Sequence, residues 1–357
     1  MSKHESLSMR SLTLALAVLS LSAAVSGCAH KGANTETVAA AVPDPASPVA
    51  PSPYLETANA INAAMRAYHY NPRELDSDAY RQIEAGLTEL AKSSDTDEAF
   101  IAGFRTLWAD GPFSHVALNK TKYTAAETAA YLDTLRVGNG ASLAWQGDAA
   151  ILAVNTMMGL DTIEQIDAAY AEIAAHGASR LIIDLRNNGG GAFAMVPLVE
   201  HVLAEPLDAG AFVAQRWHTN HENPPALADI EMVEPWTGWS IRDFWSNATS
   251  EAITRIRMTP RPDPYTGPVM VLISGQTASA AELAADALKA SGRATLIGET
   301  TSGEMLSQKM FDLPGGFQLS LPIADYYSMA NGRIEGRGVT PDVPADHADA
   351  LDLALSM

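Results

Sequence analysis

After His115 the chain adopts a grammar that few folds accommodate. Short runs of consecutive apolar residues recur: "AAILAVNTM", "SRLIIDLRNN", "VMVLISG" and "ATLIGET". Longer stretches with apolar residues three and four apart separate them, notably "TIEQIDAAYAEIAAHG" and the run behind Ser279, "AAELAADALK". A strand apolar at nearly every position has no solvent face, so it must be covered above and below. Strand, helix, strand in that order predicts an α/β core with helices on both faces of the sheet. A hydrophobic content of 47% over 357 residues is ample for such a core.

The rest of the chain is organised around this core. Residues 54–113 carry three helix-period segments, "YLETANAINAAMRAYHY", "DSDAYRQIEAGLTELAKS" and "DTDEAFIAGFRTLWAD", and are expected to form a small helical domain. Asp95 or Asp97 is the expected N-cap of the third helix. Residues 114–357 are expected to be the α/β domain. Within it, residues 205 to about 265 are rich in Trp and Pro and aperiodic, as expected of an insertion bordering a site. No internal repeat is evident.

Residues 1–27 read as an export signal. Lys3 and Arg10 precede the apolar run "SLTLALAVLSLSAAV", which is shorter than the roughly 20 residues of a spanning helix. The single cysteine, Cys28, follows as "Val25-Ser26-Gly27-Cys28" and resembles the lipobox of bacterial lipoproteins, whose cysteine is acylated. Ala29 in place of an aspartate points to the outer membrane, facing the periplasm. Residues 28–53, rich in Ala and Pro, read as a flexible tether. One thiol excludes an internal disulfide. A net charge of −19 argues against nucleic acid as a partner.

Chemistry concentrates in a few stretches. "GQTASAAELAADALK" places Ser279 where a helix begins, which suits an N-cap as well as a nucleophile beside free N–H groups. "DLRNNGGG" ends a buried strand with three glycines, which allows either a tight turn or close approach of backbone N–H groups to a ligand. It is not GxGxxG, and no dinucleotide site is expected. "HTNH", with His218 and His221, lacks an evident third ligand, so neither metal nor cofactor is expected. Trp236, Trp239, Phe244 and Trp245 suit the core of the insertion or a wall beside a substrate.

Taken together, "DLRNNGGG", "TASAAE" and "GETTSGE" resemble the S41 serine peptidases, the tail-specific and tricorn-type enzymes, over about residues 114–345. The resemblance implies a ClpP/crotonase-like α/β core, with Ser279 as nucleophile. It implies an oxyanion site from the N–H groups of Ala280, Gly190 and Gly191. The Ser-Lys branch has a lysine where this chain has Glu304, and neither Lys289 nor Lys309 occupies that place. That branch also carries a PDZ domain, for which the stretch before residue 182 leaves little room. The tricorn-type branch uses Ser-His-Glu. "GPFSHVAL" supplies Ser114 and His115, and "IEGRGVTPD" supplies Glu335. These imply His115 as the base, Glu335 as its orienting carboxylate and Ser114 as a supporting hydroxyl. The expected activity is peptide-bond cleavage in the cell envelope through an acyl-enzyme. A non-catalytic binder of apolar ligands or peptides on the same fold, and an esterase, are the rivals.

Overall fold

The computed structural model describes residues 52–357. The export signal, Cys28 and the tether up to residue 51 lie outside the described residues. Three amphipathic helices come first: α1 (Tyr54–Tyr68), α2 (Asp78–Ser93) and α3 (Asp97–Leu107). They bury Ile61 and Met65, Ile83 and Leu87, and Phe100 and Phe104, each pair at the four-residue spacing of a helical stripe. The cap of α3 is Thr96, between the two aspartates expected for the role. Its hydroxyl accepts the Ala99 N–H at 3.2 Å.

The chain continues through β1 (Ala117–Lys120), α4 (Ala125–Leu132), β2 (Ala141–Gln146), β3 (Ala149–Val154), α5 (Leu160–His176), β4 (Arg180–Asp184) and α6 (Met195–Glu200). Gly177 ends α5 at φ +69°, the left-handed stop that glycine adopts freely. Next come β5 (Leu207–Ala214), α7 (Gln215–Asn220), α8 (Leu227–Glu231), α9 (Ile241–Ser250), β6 (Ile253–Met258), β7 (Val269–Ile273), α10 (Ala280–Ala290) and β8 (Ala294–Gly298). The last elements are β9 (Ser307–Asp312), β10 (Phe317–Ser328), β11 (Gly332–Arg333), β12 (Val343–Pro344) and α11 (Ala350–Ser356).

Two sheets result. The first runs β12-β8-β7-β4-β3-β2, parallel except for the β2–β3 hairpin. Ile182, Met270, Leu272 and Ile297 on one face pack under Ala350 and Ala354 of α11, while Leu181, Ile183 and Val271 enter the main core opposite. The continuous apolar strands are therefore covered on both faces, as their composition requires. The second sheet is antiparallel, β1-β10-β5-β6, with β9 and β11 also pairing with β10. Helix α10 touches β8 of one sheet and β5 and β10 of the other, and every residue from Ala280 to Leu288 is buried.

Two expectations change. Residues 205–265 do not form one insertion, because β5 and β6 at its ends are paired strands of the second sheet. Only the stretch between them, with α7–α9, is an excursion. The helical segment also shares its core with that sheet: Tyr54 stacks on Phe100 at 4.9 Å, and both rings meet Phe317 of β10 edge-on. No PDZ domain is evident among the described residues. No described helix is long and apolar enough to cross a membrane.

Candidate active site

Three neighbouring parallel strands deliver the three glycine- and serine-rich motifs from their carboxyl ends, where open α/β sheets place their ligands. β4 runs into the glycine turn, β7 into the loop before Ser279, and β8 into residues 299–306. Short polar ties lock the loops together. Thr277 Oγ1 donates to the Leu185 carbonyl at 2.8 Å, the Ala278 N–H to Asn188 O at 3.0 Å, and the Ser302 N–H to Thr277 O at 2.9 Å.

Ser279 stands at the N-terminus of α10 with φ +55° and ψ −123°. An L-residue in that region carries about 1–3 kcal/mol of strain and persists only where its surroundings hold it there. Its hydroxyl does not cap the helix. The Glu282 N–H donates to the Ser279 carbonyl at 2.8 Å, and among the described residues Ser279 Oγ has no hydrogen-bond partner. The reverse half of a capping box is present: Ser279 N–H donates to Glu282 Oε2 at 2.9 Å. The serine thus occupies the cap position with its side chain free.

The glycine turn lies directly against it. A Cβ on Gly190, which has φ +91°, would come within 2.7 Å of both Ala278 O and Ser279 Cβ. The Gly190 N–H is already committed, donating to Asn188 Oδ1 at 2.8 Å, while Asn188 Nδ2 donates to Val154 O at 3.0 Å. The neighbouring Gly191 N–H and the Ala280 N–H, in the first turn of α10, donate to no partner among the described hydrogen bonds. Two free backbone donors thus belong to the glycine turn and the helix start that meet at Ser279, and Gly190 serves by permitting that approach rather than by donating.

His115 is the second strained residue, at φ +62°. Its Nδ1 lies 2.6 Å from Ser114 Oγ, and the Ser114 N–H donates to Glu335 Oε1 at 3.4 Å. Glu335 Oε2 accepts the N–H groups of Met305 at 2.6 Å and Leu306 at 3.2 Å. No described hydrogen bond joins Glu335 or Ser279 to the imidazole, so the contact to the ring is the Ser114 hydroxyl, with the carboxylate behind it. Desolvation lowers the His115 pKa below the usual 6.5, opposed by the charges of Glu335 and Glu304. Glu304, exposed, stands where the resemblance would put a lysine. Lys289 instead pairs with Asp342 at 2.9 Å, and Lys309 lies over the Phe311 ring.

The comparisons with known proteins agree with these motifs. Residues 148–345 match the sequence profile of peptidase family S41. The chain belongs to peptidase family S41. It is 33% identical over 186 residues to a chloroplastic C-terminal processing peptidase of Tetradesmus obliquus, covering 52% of this chain and 33% of that protein. A carboxyl-terminal-processing protease of Picosynechococcus is 30% identical over 171 residues, 48% of this chain and 33% of the relative. The matched stretch thus spans about a third of the length of these relatives. Among solved structures, the photosystem II D1 C-terminal processing protease superposes with a TM-score of 0.51 at 19% identity, covering 83% of this chain and 94% of that one. A lipoprotein from Streptococcus agalactiae gives 0.54 at 15% identity, covering 87% and 98%. These two likenesses concern the fold, a mixed α/β architecture with two sheets.

In this S41 chain the remaining candidates are placed as follows. Trp236 and Trp239 lie beside Phe193, two residues past Gly191, one tilted and one edge-on, with ring centroids 5.7 and 5.8 Å away. Phe244 and Trp245 are buried in the core. His218 is buried beside Tyr70, and His221 stacks on Trp217 at 3.8 Å. The sequence reading missed Asn188 and Glu282. Both sit inside the quoted motifs, but only tertiary contacts show that Asn188 braces the glycine turn and that Glu282 is buried.

Proposed function

We propose that the chain is a serine peptidase working through an acyl-enzyme with a Ser-His-Glu arrangement of the tricorn type. The observation that carries this reading is a strained serine with an uncommitted hydroxyl at a helix start, packed against a glycine turn, with the N–H groups of Gly191 and Ala280 uncommitted. In the productive tautomer, His115 Nδ1–H donates to Ser114 Oγ, which leaves Nε2 as the base. His115 Nε2 takes the Ser279 proton as Oγ attacks the carbonyl carbon, and the Gly191 and Ala280 N–H groups receive the oxyanion. The imidazolium then protonates the leaving amine. Water, deprotonated by the same ring, releases the acyl group. Glu335 holds Ser114 in place and favours the imidazolium. Glu304 in place of a lysine supports this branch over a Ser-Lys dyad.

The pH dependence tests the assignment. The base must be neutral, and its pKa is held below 6.5, so kcat/KM should rise along an acid limb centred below pH 6.5 and then stay level. Glu335→Gln removes a charge that raises the pKa, so its limb should move further toward acid. An acid limb centred above pH 8 would point to a lysine base and overturn the reading.

We further propose export and anchoring in the cell envelope through a lipid on Cys28, with a peptide or protein as substrate. The basic start, the apolar run and the lone cysteine support it. The full chain made in a Gram-negative host should fractionate with outer membranes, and Cys28→Ser should move it to the soluble periplasmic fraction. An unchanged distribution would argue against the anchor.

A further inference from the structure

Glu282 is a buried carboxylate with no salt-bridge partner among the described residues, and four donors surround it. Its Oε2 accepts the N–H groups of Ser279 at 2.9 Å and Glu304 at 3.0 Å. Its Oε1 accepts Thr301 Oγ1–H at 2.6 Å and the Gly303 N–H at 2.8 Å. Its acceptor directions are thereby filled, as a buried charge requires. The next two N–H groups along the chain, those of Met305 and Leu306, go to Glu335. Four consecutive peptide groups, 303–306, are thus shared between two carboxylates. One carboxylate also holds the serine's N–H, and the other holds the N–H next to the histidine. Among the described contacts, no shorter hydrogen-bonded path links the two catalytic ends.

We propose that Glu282 is a positioning residue for the reaction: it fixes the strained backbone of Ser279 and, through the 303–306 strip, sets its spacing from the Ser114–His115–Glu335 group. The inference rests on the serine-peptidase reading above. A glutamate acting only as a helix cap would not need burial or the three extra donors. It would also leave the serine hydroxyl engaged in the reciprocal bond, which is not seen. Turning the carboxylate into an amide brings an NH2 group against backbone N–H donors. One end of the clamp then opens while side-chain volume stays the same. Misplacement of a reacting group by about 1 Å costs about 100-fold in rate.

The test is Glu282→Gln in the full-length protein, with a fluorophosphonate probe and a turned-over peptide. Expected is a fall of about 100-fold in both the labelling rate and kcat, with KM within about twofold of wild type. Such a split marks loss of an interaction that acts in the transition state. Glu282→Asp is the second variant and keeps the test decisive if the Gln variant does not fold. It keeps the charge but is one methylene shorter, and should recover part of the rate. Wild-type labelling with Glu282→Gln just as fast overturns the inference alone. A loss explained wholly by fewer titratable active sites, or by a raised KM, also overturns it, because a loosened fold would do that. A wild type that does not label at all overturns the peptidase reading and the positioning role with it.

Discussion

Ser279→Ala should lower kcat by on the order of 10⁶-fold and abolish fluorophosphonate labelling while leaving the fold intact. The side chain removed makes no hydrogen bond among the described residues, so its loss leaves no buried donor or acceptor unpaired. Replacing a strained serine with alanine at φ +55° changes the backbone strain little, since both residues carry a Cβ. Stability in urea should therefore match wild type, and activity alone should collapse. His115→Ala should lose nearly as much. The double variant should be no worse than either single one, because nucleophile and base act as one unit. Additive losses in the double variant, or residual labelling of Ser279→Ala, would remove the serine from the mechanism. What survives should be the modest acceleration left to the Gly191 and Ala280 donors and substrate binding.

The second large effect concerns three consecutive glycines that should not be equivalent. Gly190→Ala puts a methyl 2.7 Å from Ala278 O and Ser279 Cβ, at φ +91°. The turn has little freedom to retreat. Its N–H is held by Asn188, and its carbonyl accepts the Met157 N–H at 2.8 Å and Thr156 Oγ1–H at 3.2 Å. Overpacking together with an unfavourable φ should cost about 3 kcal/mol in urea unfolding. The accompanying shift of the serine should lower kcat more than 100-fold. Gly191→Ala meets Met158 N at 2.6 Å with φ +144° and should behave similarly. Gly189→Ala meets nothing within 4 Å and should be nearly silent in both assays. Equal effects at all three positions would mean that the turn is built differently.

The parallel sheet was legible because its strands are apolar at nearly every position and its helices are periodic. β3, β4, β7 and β8 fall on the quoted runs. The second sheet was not. β10 contains Pro322, which in a sequence reads as an interruption, and the structure accommodates it at a register shift between Pro322 and Ala324. β5, "LDAGAFVA", is made mostly of small residues, and its partners β10 and β6 come later in the chain. Nothing local marks it as a strand. The candidate residues were legible as motifs, yet the bonds among them were not. Spacing could not show that Ser114 rather than Glu335 touches the imidazole. Nor could it show that Gly190 spends its N–H on Asn188. Those facts depend on loops that meet only after the sheets form.

The pairing of β1 with β10 has a kinetic side. Ala117, two residues past His115, lies opposite Ser320, so the histidine reaches its place only when a loop of roughly 200 residues has closed. Ser279 instead sits between β7 and β8, strands adjacent in sequence, and its elbow can assemble from near neighbours. Topologies that depend on such distant pairings mature slowly. On the proposed mechanism, the serine's elbow then forms before its base arrives, so a partly folded chain would carry an unarmed nucleophile and be spared from cutting itself.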